Sequence, residues 1–177
     1  DEEERIVEVI ETLPDYVDLV VVVDDGSKDR TNKRAEEASS PCKLVILEHG
    51  GKGVGSAIDR GHQYVLEHLT KPFVSAVMAG DGQMNPEDLM PVVHPILTGD
   101  ADHVKGNRRA HREGYNLMPA ARKRASSILG FFTTLASGQP IEDPQCGFTA
   151  TSSEVLESWD WSRSWKGYGY PNYWIIN

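Results

Sequence analysis

Cysteine and long apolar runs are scarce in this sequence of 177 residues. Cys42 and Cys146 stand far apart and outside any CxxC or Cys/His ligand spacing, so reduced thiols are expected rather than a disulfide framework. The six histidines form no HxH or HExxH group, which argues against a zinc site. No apolar run approaches the roughly 20 residues that span a bilayer, and no signal peptide is recognisable.

Positive charge is also in short supply, with 18 basic residues against 27 acidic ones and a net charge of −9. This balance argues against a general nucleic-acid-binding protein. Seven of the 18 basic residues nevertheless lie between positions 105 and 124. Such a stretch fits a small anionic ligand or a phosphate-bearing surface, and it also fits a solvated helix face.

The most informative segment is an apolar run that ends abruptly in two carboxylates. The apolar run 19–23, which is rich in β-branched residues, predicts a strand buried on both faces, followed directly by Asp24, Asp25, Gly26 and Ser27. Ligands bind at the carboxyl ends of strands in open α/β sheets, so both carboxylates are candidates to contact a base or a ribose. Gly26 would let the backbone come close to that ligand. The alternative is an acidic turn that caps the next helix.

Strands and helices alternate along most of the chain. The patterns predict strands at 19–23, 43–47, 73–78 and 102–105, and helices at 2–13, 31–39, 86–97 and 117–136. A further helix follows the glycine-rich segment 50–53, and its inward face is expected to carry Ala57, Ile58, Gly61, Tyr64, Val65 and Leu69. This alternation predicts a parallel sheet covered on both faces. The remaining residues, 140–177, are expected to be irregular.

Asp81 repeats the arrangement of the first carboxylates, because it follows the apolar segment 73–78. Two neighbouring strands that end in carboxylates predict a negatively charged pocket for Mg²⁺ or Mn²⁺. Such ions bind carboxylate oxygens and complete their coordination with substrate phosphates. Gln83 can add a carbonyl oxygen or bind the ligand through its amide.

Five short motifs occur in a fixed order: Asp-Asp-Gly-Ser at 24–27, Gly-Lys-Gly-x-Gly at 51–55, Gly-Asp-Gly-Gln-Met-Asn-Pro-Glu-Asp-Leu at 80–89, Gly-Asn-Arg at 106–108 and Asp-Pro-Gln-Cys-Gly-Phe at 143–148. With them the chain resembles the inverting family 2 glycosyltransferases of GT-A fold. Within that family it is similar to the dolichol-phosphate mannosyltransferase and polyprenyl-phosphate glucosyltransferase branch. The resemblance implies an α/β fold of three layers, α/β/α, around a mainly parallel, Rossmann-like nucleotide-binding sheet.

The resemblance extends over residues 1–177 and implies a single catalytic domain. The family's first strand and its Pro-x-Tyr-Asn-Glu motif would precede the segment 1–5, so a fragment without that strand and without a C-terminal part is expected. Glu2 would then correspond to the nucleotide-contacting glutamate. The family's Asp-x-Asp motif falls on Ala79, Gly80 and Asp81, so its first carboxylate is absent and its usual metal ligand is retained.

Sugar transfer from a nucleoside diphosphate requires neutralisation of the leaving diphosphate. A cation at Asp81 would supply part of this charge, and Lys52 and Arg108 could supply the rest. The alternative for Lys52 is a solvated side chain. The nucleotide-sugar site is therefore expected at Glu2, Asp24, Asp25, Gly26, Ser27, Lys52, Gly80 and Asp81, with Asp81 and Gln83 as metal ligands.

The acceptor side is expected among the later motifs. A lipid phosphate is already anionic and needs cationic docking, which Arg122, Lys123 and Arg124 would provide. Asp143 opens the acceptor-side motif and is the candidate base or acceptor-orienting carboxylate, with a capping role beside a proline as the alternative. Gln145 in the same motif is expected to contact the acceptor.

The C-terminal part is unusually aromatic, with Trp159, Trp161, Trp165, Tyr168, Tyr170, Tyr173 and Trp174. A membrane interface and a packing lid over the sheet remain open for these residues, and for the pair Phe131 and Phe132 on the long helix. The expected partners are a UDP- or GDP-linked sugar and a polyprenyl phosphate, with peripheral contact at the cytoplasmic face of a membrane and no nucleic acid. The competing interpretations are a receiver-like phospho-acceptor domain, a sugar-nucleotide pyrophosphorylase and a glycosyltransferase that acts on a soluble glycan.

Overall fold

The structure, a computed structural model, describes residues 1–109, 119–167 and 169–176. Within these ranges the side chains of Ala121, Arg122 and Asn172 are outside the description. The elements in chain order are α1 (Ile6–Glu11), β1 (Leu19–Asp24), α2 (Thr31–Glu37), β2 (Lys43–Glu48), α3 (Val54–His68), β3 (Val74–Val77), a 3₁₀ turn (Pro86–Asp88), α4 (Leu89–Leu97), β4 (His103–Lys105), α5 (Ala120–Ser137), β5 (Thr149–Ser152), α6 (Ser153–Ser158) and α7 (Tyr170–Ile176).

The predicted helices and strands are present, most of them with shorter ends. The expected start of α5 at 117 falls outside the described residues. The prediction of an irregular segment 140–177 is wrong where β5, α6 and α7 form. No described helix has both the length and the apolar character that a bilayer crossing requires.

The described strands form a parallel pair and an antiparallel three-stranded sheet. β1 pairs with β2 in parallel, with Val21 opposite Val45. The second sheet has the order β3-β5-β4, and β5 is antiparallel to both neighbours. β3 and β4 therefore run in the same direction, with β5 reversed between them. The α/β class and a parallel sheet are confirmed. β5 adds an antiparallel strand, which lies between β3 and β4.

Local sequence explains where the elements near the sheet edges begin and end. Asn85 caps the 3₁₀ turn, because its side-chain oxygen accepts a hydrogen bond from the Glu87 amide at 3.0 Å, and Pro86 occupies the first turn. α5 ends at Gly138, which adopts the left-handed conformation at φ 71°. These signals fix the ends of two helices that flank the site.

The apolar core consists of three clusters. One joins α4 to the second sheet and to the motif 143–148, and contains Leu89, Val92, Val93, Cys146, Phe148 and Ala150. Another lies under α3 and contains Val65, Leu156, Tyr170 and Trp174, and the third joins α1 and α2 through Ile6, Ile10 and Ala35. The buried Cys146 and Phe148 thus anchor the acceptor-side motif in the core.

Most of the aromatic cluster serves packing. Trp159 stacks on the buried Trp174 with ring centroids 3.9 Å apart, and Tyr173 meets Trp159 edge to face. Tyr170 is buried in the same cluster, whereas Trp165 is exposed. Tyr168 lies outside the described residues. The packing alternative therefore holds for the described members other than Trp165.

Candidate active site

Asp24 ends β1 and is buried, with its carboxylate held by protein groups. Ser27 donates to it from the backbone amide at 3.2 Å and from the hydroxyl, and the Asn32 amide donates at 3.1 Å. These bonds fold the segment after β1 into a tight turn. Asp24 therefore shapes the turn that presents the following residues at the sheet edge.

Asp25 joins this turn to the glycine-rich loop. Its two carboxylate oxygens accept hydrogen bonds from the backbone amides of Lys52 and Gly53, each at 2.8 Å. Gly26 adopts φ +92°, and a Cβ there would lie 3.1 Å from the amide nitrogen of Gly51. The two loops are therefore in close contact, and only glycine fits at this point without strain. The side chain of Lys52 is exposed.

An open cavity of about 510 Å³ lies between the N-terminal segment and the loop that follows β3. Its lining consists of Asp1, Glu2, Glu3, Glu4, Arg5, Asp29, Asp81 and Gln83. Two hydrogen bonds from backbone amides to side-chain oxygens hold the N-terminal segment there. The Glu2 amide donates to Thr31 Oγ1 at 2.7 Å, and the Glu3 amide donates to the Asp29 carboxylate at 3.1 Å. The cavity has the volume of a small-ligand site and a strongly negative lining.

Asp81 and Gln83 reach this cavity from the loop that follows β3. The backbone amide of Gln83 donates to Asp81 Oδ1 at 3.0 Å. This bond closes a turn around Gly82, which has a φ of +71°. Gly80 packs against α1, since a Cβ there would lie 3.1 Å from the Ile6 side chain. The predicted donor-side residues Glu2, Asp81 and Gln83 thus line one cavity, whereas Asp24, Asp25 and Lys52 do not line it.

The oxygen ligands at this cavity suit a hard divalent cation. Among the described residues, no three His, Cys, Asp or Glu side chains converge as a metal-binding group. Asp81 and Gln83 can supply two oxygen ligands, and water and substrate phosphates would complete the coordination, as Mg²⁺ and Mn²⁺ accept. The residues therefore fit a cation that is held jointly by protein and substrate.

Arg108 and Asp143, the two predicted catalytic residues, are in direct polar contact. The Asp143 oxygens accept from Arg108 Nε at 2.7 Å, from Nη2 at 2.8 Å and from the Arg108 amide at 3.1 Å. Burial alone would raise the pKa of the Asp143 carboxyl, but the hydrogen bonds and charge of Arg108 lower it. Asp143 is therefore an ionised carboxylate of low basicity, and 40% of the Arg108 side chain remains exposed.

Lys105 adds a second cation at the same place, which the sequence analysis did not single out. Its ammonium donates to the Cys146 carbonyl at 2.5 Å, and burial lowers its pKa to about 8. Burial also raises the pKa of the Cys146 thiol. The signal available in the sequence was a lysine at the end of a short strand, just before the Gly-Asn-Arg motif.

The motif 143–148 meets the loop that carries Asp81 at Met84. A Cβ on Gly147 would lie 3.6 Å from the Met84 methyl group, and the Met84 sulfur lies 3.2 Å from the Ala79 amide nitrogen. The motif 143–148 therefore packs against the loop that carries Asp81. This contact brings together parts of the chain that are about 60 residues apart in sequence.

Two of the remaining acceptor candidates, Gln145 and Arg124, are on the surface. Gln145 is exposed at the tip of the motif 143–148, and Arg124 is exposed on α5. The side chain of Arg122 lies outside the described part of the structure. Neither Gln145 nor Arg124 has a described hydrogen bond to the Arg108–Asp143 pair, so their acceptor roles stay predictions.

Asp59 on α3 is the second polar residue that the sequence analysis missed. Its buried carboxylate accepts from the Tyr170 hydroxyl at 2.6 Å, from Ser164 Oγ at 2.9 Å and from the Lys166 ammonium. The Lys166 carbonyl in turn accepts from the Gly55 amide at 3.1 Å. Asp59 lies four residues from Gly55 on the buried face of α3, and this spacing could have indicated it.

Comparison with known proteins identifies a family. The family model described as Glycosyl transferase family 2 matches residues 1–159. UDP-N-acetylglucosamine–dolichyl-phosphate N-acetylglucosaminyltransferase of Methanococcus voltae is 29% identical over 171 residues, which is 88% of this chain and 67% of that protein. Dolichol-phosphate mannosyltransferase of Pyrococcus furiosus is 37% identical over 142 residues, which is 78% of this chain and 38% of that protein.

The fold has a counterpart among solved structures. Glucosyl-3-phosphoglycerate synthase of Mycobacterium tuberculosis, in complex with Mn²⁺, UDP-glucose and phosphoglyceric acid, superposes with a TM-score of 0.67 at 24% sequence identity. The match covers 97% of this chain and 59% of that chain. The two proteins share a fold, and this chain spans little more than half of the longer one.

Proposed function

We propose that this chain, which belongs to glycosyl transferase family 2, transfers a hexose with inversion from a UDP- or GDP-linked sugar to a polyprenyl phosphate. The observation that carries the proposal is the contact of the motif 143–148 with Met84, three residues beyond Asp81. In this proposal the acceptor side therefore lies next to the donor side. Relatives that are named for transfer to dolichyl phosphate support the acceptor class.

On the donor side, the nucleotide would bind against the cavity that Glu2 lines and against the adjoining turn. Asp25 holds the glycine-rich loop through two amides, so in this proposal it positions the loop. Lys52 projects its exposed side chain from that loop and would contact the diphosphate. The Asp24 carboxylate accepts hydrogen bonds from the turn after β1, so in this proposal it positions that turn.

Asp81 and Gln83 are the residues that would hold Mg²⁺ or Mn²⁺. The cation, when bound, would neutralise charge on the leaving diphosphate. A solved structure of the same fold contains Mn²⁺ and UDP-glucose, which supports a divalent cation in this chain. Ala79 stands where a further carboxylate would be, so the protein's own affinity for the ion is expected to be modest.

On the acceptor side, Asp143 acts through Arg108. A phosphate acceptor is already anionic and does not need a strong base, which agrees with the lowered pKa of Asp143. Asp143 binds one edge of the guanidinium through Nε and Nη2, and the exposed part of Arg108 would contact the acceptor phosphate or the leaving group. The role of Asp143 is then to orient the acceptor side.

The proposed location is the cytoplasmic face of a membrane, where a polyprenyl phosphate would be available. The receiver-like alternative is not retained, because the match to glycosyl transferase family 2 extends over residues 1–159. Transfer to a soluble glycan remains the alternative that an assay must exclude.

Binding of nucleotide tests the donor side. We expect UDP or GDP to bind more tightly with Mn²⁺ than without it, and Asp81→Asn to lose most of the Mn²⁺-dependent gain. Isothermal titration calorimetry measures both. Asp15→Asn is the matched control, because Asp15 is exposed at the turn that precedes β1. Equal affinity of wild type and Asp81→Asn in Mn²⁺ would remove the metal role.

Transfer assays test the reaction. UDP-glucose, UDP-N-acetylglucosamine and GDP-mannose are each paired with a polyprenyl phosphate and with soluble glycans. Product on the polyprenyl phosphate is expected. Product on a soluble glycan alone would overturn the lipid acceptor and retain the transferase, whereas product from no pair together with no nucleotide binding would overturn both.

A further inference from the structure

The segment 164–167 packs with its backbone on the start of α3. The Gly55 amide donates to the Lys166 carbonyl at 3.1 Å. A Cβ on Gly55 would lie 2.6 Å from the Trp165 carbonyl oxygen, and a Cβ on Gly53 would lie 2.9 Å from the Lys166 carbonyl oxygen. A larger residue would be too close at either position, so this contact of two backbones requires both glycines.

One buried carboxylate fastens the segment to α3. Asp59 Oδ1 accepts hydrogen bonds from Ser164 Oγ at 2.9 Å and from the Tyr170 hydroxyl at 2.6 Å, and Oδ2 accepts from the Lys166 ammonium. Burial and the hydrogen bond to Asp59 raise the pKa of the Tyr170 phenol, so it stays a donor. Both oxygens of Asp59 are therefore engaged by the C-terminal part of the chain.

The glycine-rich loop 50–53 is consequently held by two separate parts of the chain. Asp25 accepts from the amides of Lys52 and Gly53 at 2.8 Å each. The Lys166 carbonyl lies against Gly53, and the bond from the Lys166 ammonium to Asp59 keeps that residue in place. The three glycines of the loop all have positive φ, so contacts with neighbours, rather than side chains of the loop, determine its conformation.

Lys52 is the residue that gains from a fixed loop. It is the one non-glycine residue at positions 50–53, and its side chain is exposed. In the proposed function its ammonium contacts the diphosphate of the nucleotide. Such a contact is stronger when the backbone of the lysine is ordered beforehand, because less conformational entropy is lost on binding.

We infer that Asp59 is a positioning residue for the nucleotide diphosphate. It holds the segment 164–167 against Gly53 and Gly55 and thereby fixes the loop from which Lys52 contacts the phosphates. The inference rests on the proposed function, in which Lys52 binds the diphosphate. Asp59 acts at a distance in this arrangement, because its carboxylate is buried and engaged by protein groups.

The ligands that test this role differ only in their phosphates. UDP and GDP are titrated by calorimetry in Mn²⁺, and the corresponding nucleosides are titrated by ligand-observed NMR. We expect Asp59→Asn to lower the affinity for the nucleoside diphosphate by roughly five- to tenfold and to leave the affinity for the nucleoside within about twofold. A variant that had only lost stability would, while folded, bind both ligands as the wild type does.

A double-mutant cycle with Lys52 separates positioning from a general structural effect. Lys52→Ala should lower the affinity for the nucleoside diphosphate by a similar factor. Asp59→Asn should lower it no further in the Lys52→Ala background, because the contact that it positions is already absent. Additive losses would overturn the inference, and so would an equal loss of nucleoside affinity in Asp59→Asn.

Asp160→Asn is the matched control. Asp160 is exposed in the same part of the chain and accepts hydrogen bonds from Ser162 within its own turn, so its replacement should leave nucleotide affinity unchanged. A loss equal to that of Asp59→Asn would contradict the role of Asp59.

Lys166 tests the same ion pair from the exposed partner, whose side chain is 45% exposed. Lys166→Met should lower the affinity for the nucleoside diphosphate, whereas Lys166→Arg should retain it. Far-ultraviolet circular dichroism shows which variants are folded, and the lysine variants decide the matter if Asp59→Asn is not. Equal affinity of Lys166→Met and wild type would then reject the inference.

The wild type separates this inference from the proposed function. Binding of neither UDP nor GDP to the wild type would overturn both. Binding of one of them with equal affinity to the wild type and to Asp59→Asn would overturn the positioning role alone.

Discussion

Replacement of Asp143 by asparagine is the most direct test of the acceptor side. The carboxylate is buried and accepts three hydrogen bonds from Arg108. The asparagine side chain would retain one acceptor oxygen, and its amide group would face the donors of Arg108. The change therefore removes the charge pair and leaves the shape of the side chain almost unaltered.

The cost follows from the burial of the two partners. Breaking a fully buried ion pair costs about 3–5 kcal/mol, and partial exposure of Arg108 together with the remaining acceptor reduces our expectation to about 2 kcal/mol. Urea unfolding monitored by tryptophan fluorescence measures the loss. In the transfer assay, Asp143→Asn should lower turnover much more than nucleotide affinity, because the pair is proposed to act on the acceptor.

The pH dependence gives a second readout. Arg108 lowers the pKa of Asp143 below its ordinary value of 3.8, so the stabilisation is fully present above about pH 4. It is lost as the pH falls through the lower pKa of the folded chain. The difference between wild type and Asp143→Asn should be constant from about pH 5 to 8 and should shrink in stronger acid.

Glu142→Gln is the matched control for this experiment. The neighbouring carboxylate is exposed and accepts from Asn107 at 2.7 Å, so its loss should cost no more than about 0.5 kcal/mol. Equal stability of Asp143→Asn and wild type at pH 7 would refute the reasoning. Equal losses in the two variants would refute the claim that burial sets the difference.

Two further predictions concern the donor-side loops and the buried histidines. Gly26→Ala should cost about 2 kcal/mol and Gly50→Ala about 1 kcal/mol, since both have positive φ but only the first would meet a neighbour, at Gly51. Thermal unfolding compares the two variants, and an equal fall in their melting temperatures would contradict the close contact between Gly26 and Gly51. Burial lowers the pKa of His62 to about 3 and that of His103 to about 4. The unfolded chain therefore takes up protons first, and the free energy of unfolding should fall as the pH drops from about 6.5 to 4. His62→Asn should flatten this slope in urea unfolding at several pH values, and a wild type with constant stability in that range would contradict it.

The elements that sequence patterns predicted are those with strong apolar periodicity. The strand at 19–23 and the helix after 50–53 are present because an apolar run and a glycine-rich start are local signals. β5 was missed, since its residues, Thr149–Ser152, are small and mostly polar. Its pairing with β3 and β4 depends on the rest of the chain and leaves no local signal in these four residues.

The sequence predicted which residues lie at the candidate site better than it predicted the hydrogen bonds that they form. Asp24 and Asp25 stand at the expected sheet edge, but their carboxylates bind the turn and the glycine-rich loop. Asp25 accepts hydrogen bonds from the amides of Lys52 and Gly53, which lie 27 and 28 positions further along the chain. No periodicity of the sequence indicates such pairs, because they depend on how distant loops meet.

The Asp59 cluster also determines when the chain can finish folding. The donors to this carboxylate lie 105 to 111 residues further along the chain. At a synthesis rate of about 5–20 residues per second, these donors are synthesised roughly 5–20 s after Asp59. Until then its carboxylate must remain hydrated, because burial without partners is unfavourable. The start of α3, where the Gly55 amide donates to the Lys166 carbonyl, therefore reaches its final conformation late in synthesis, whatever the helix propensity of α3.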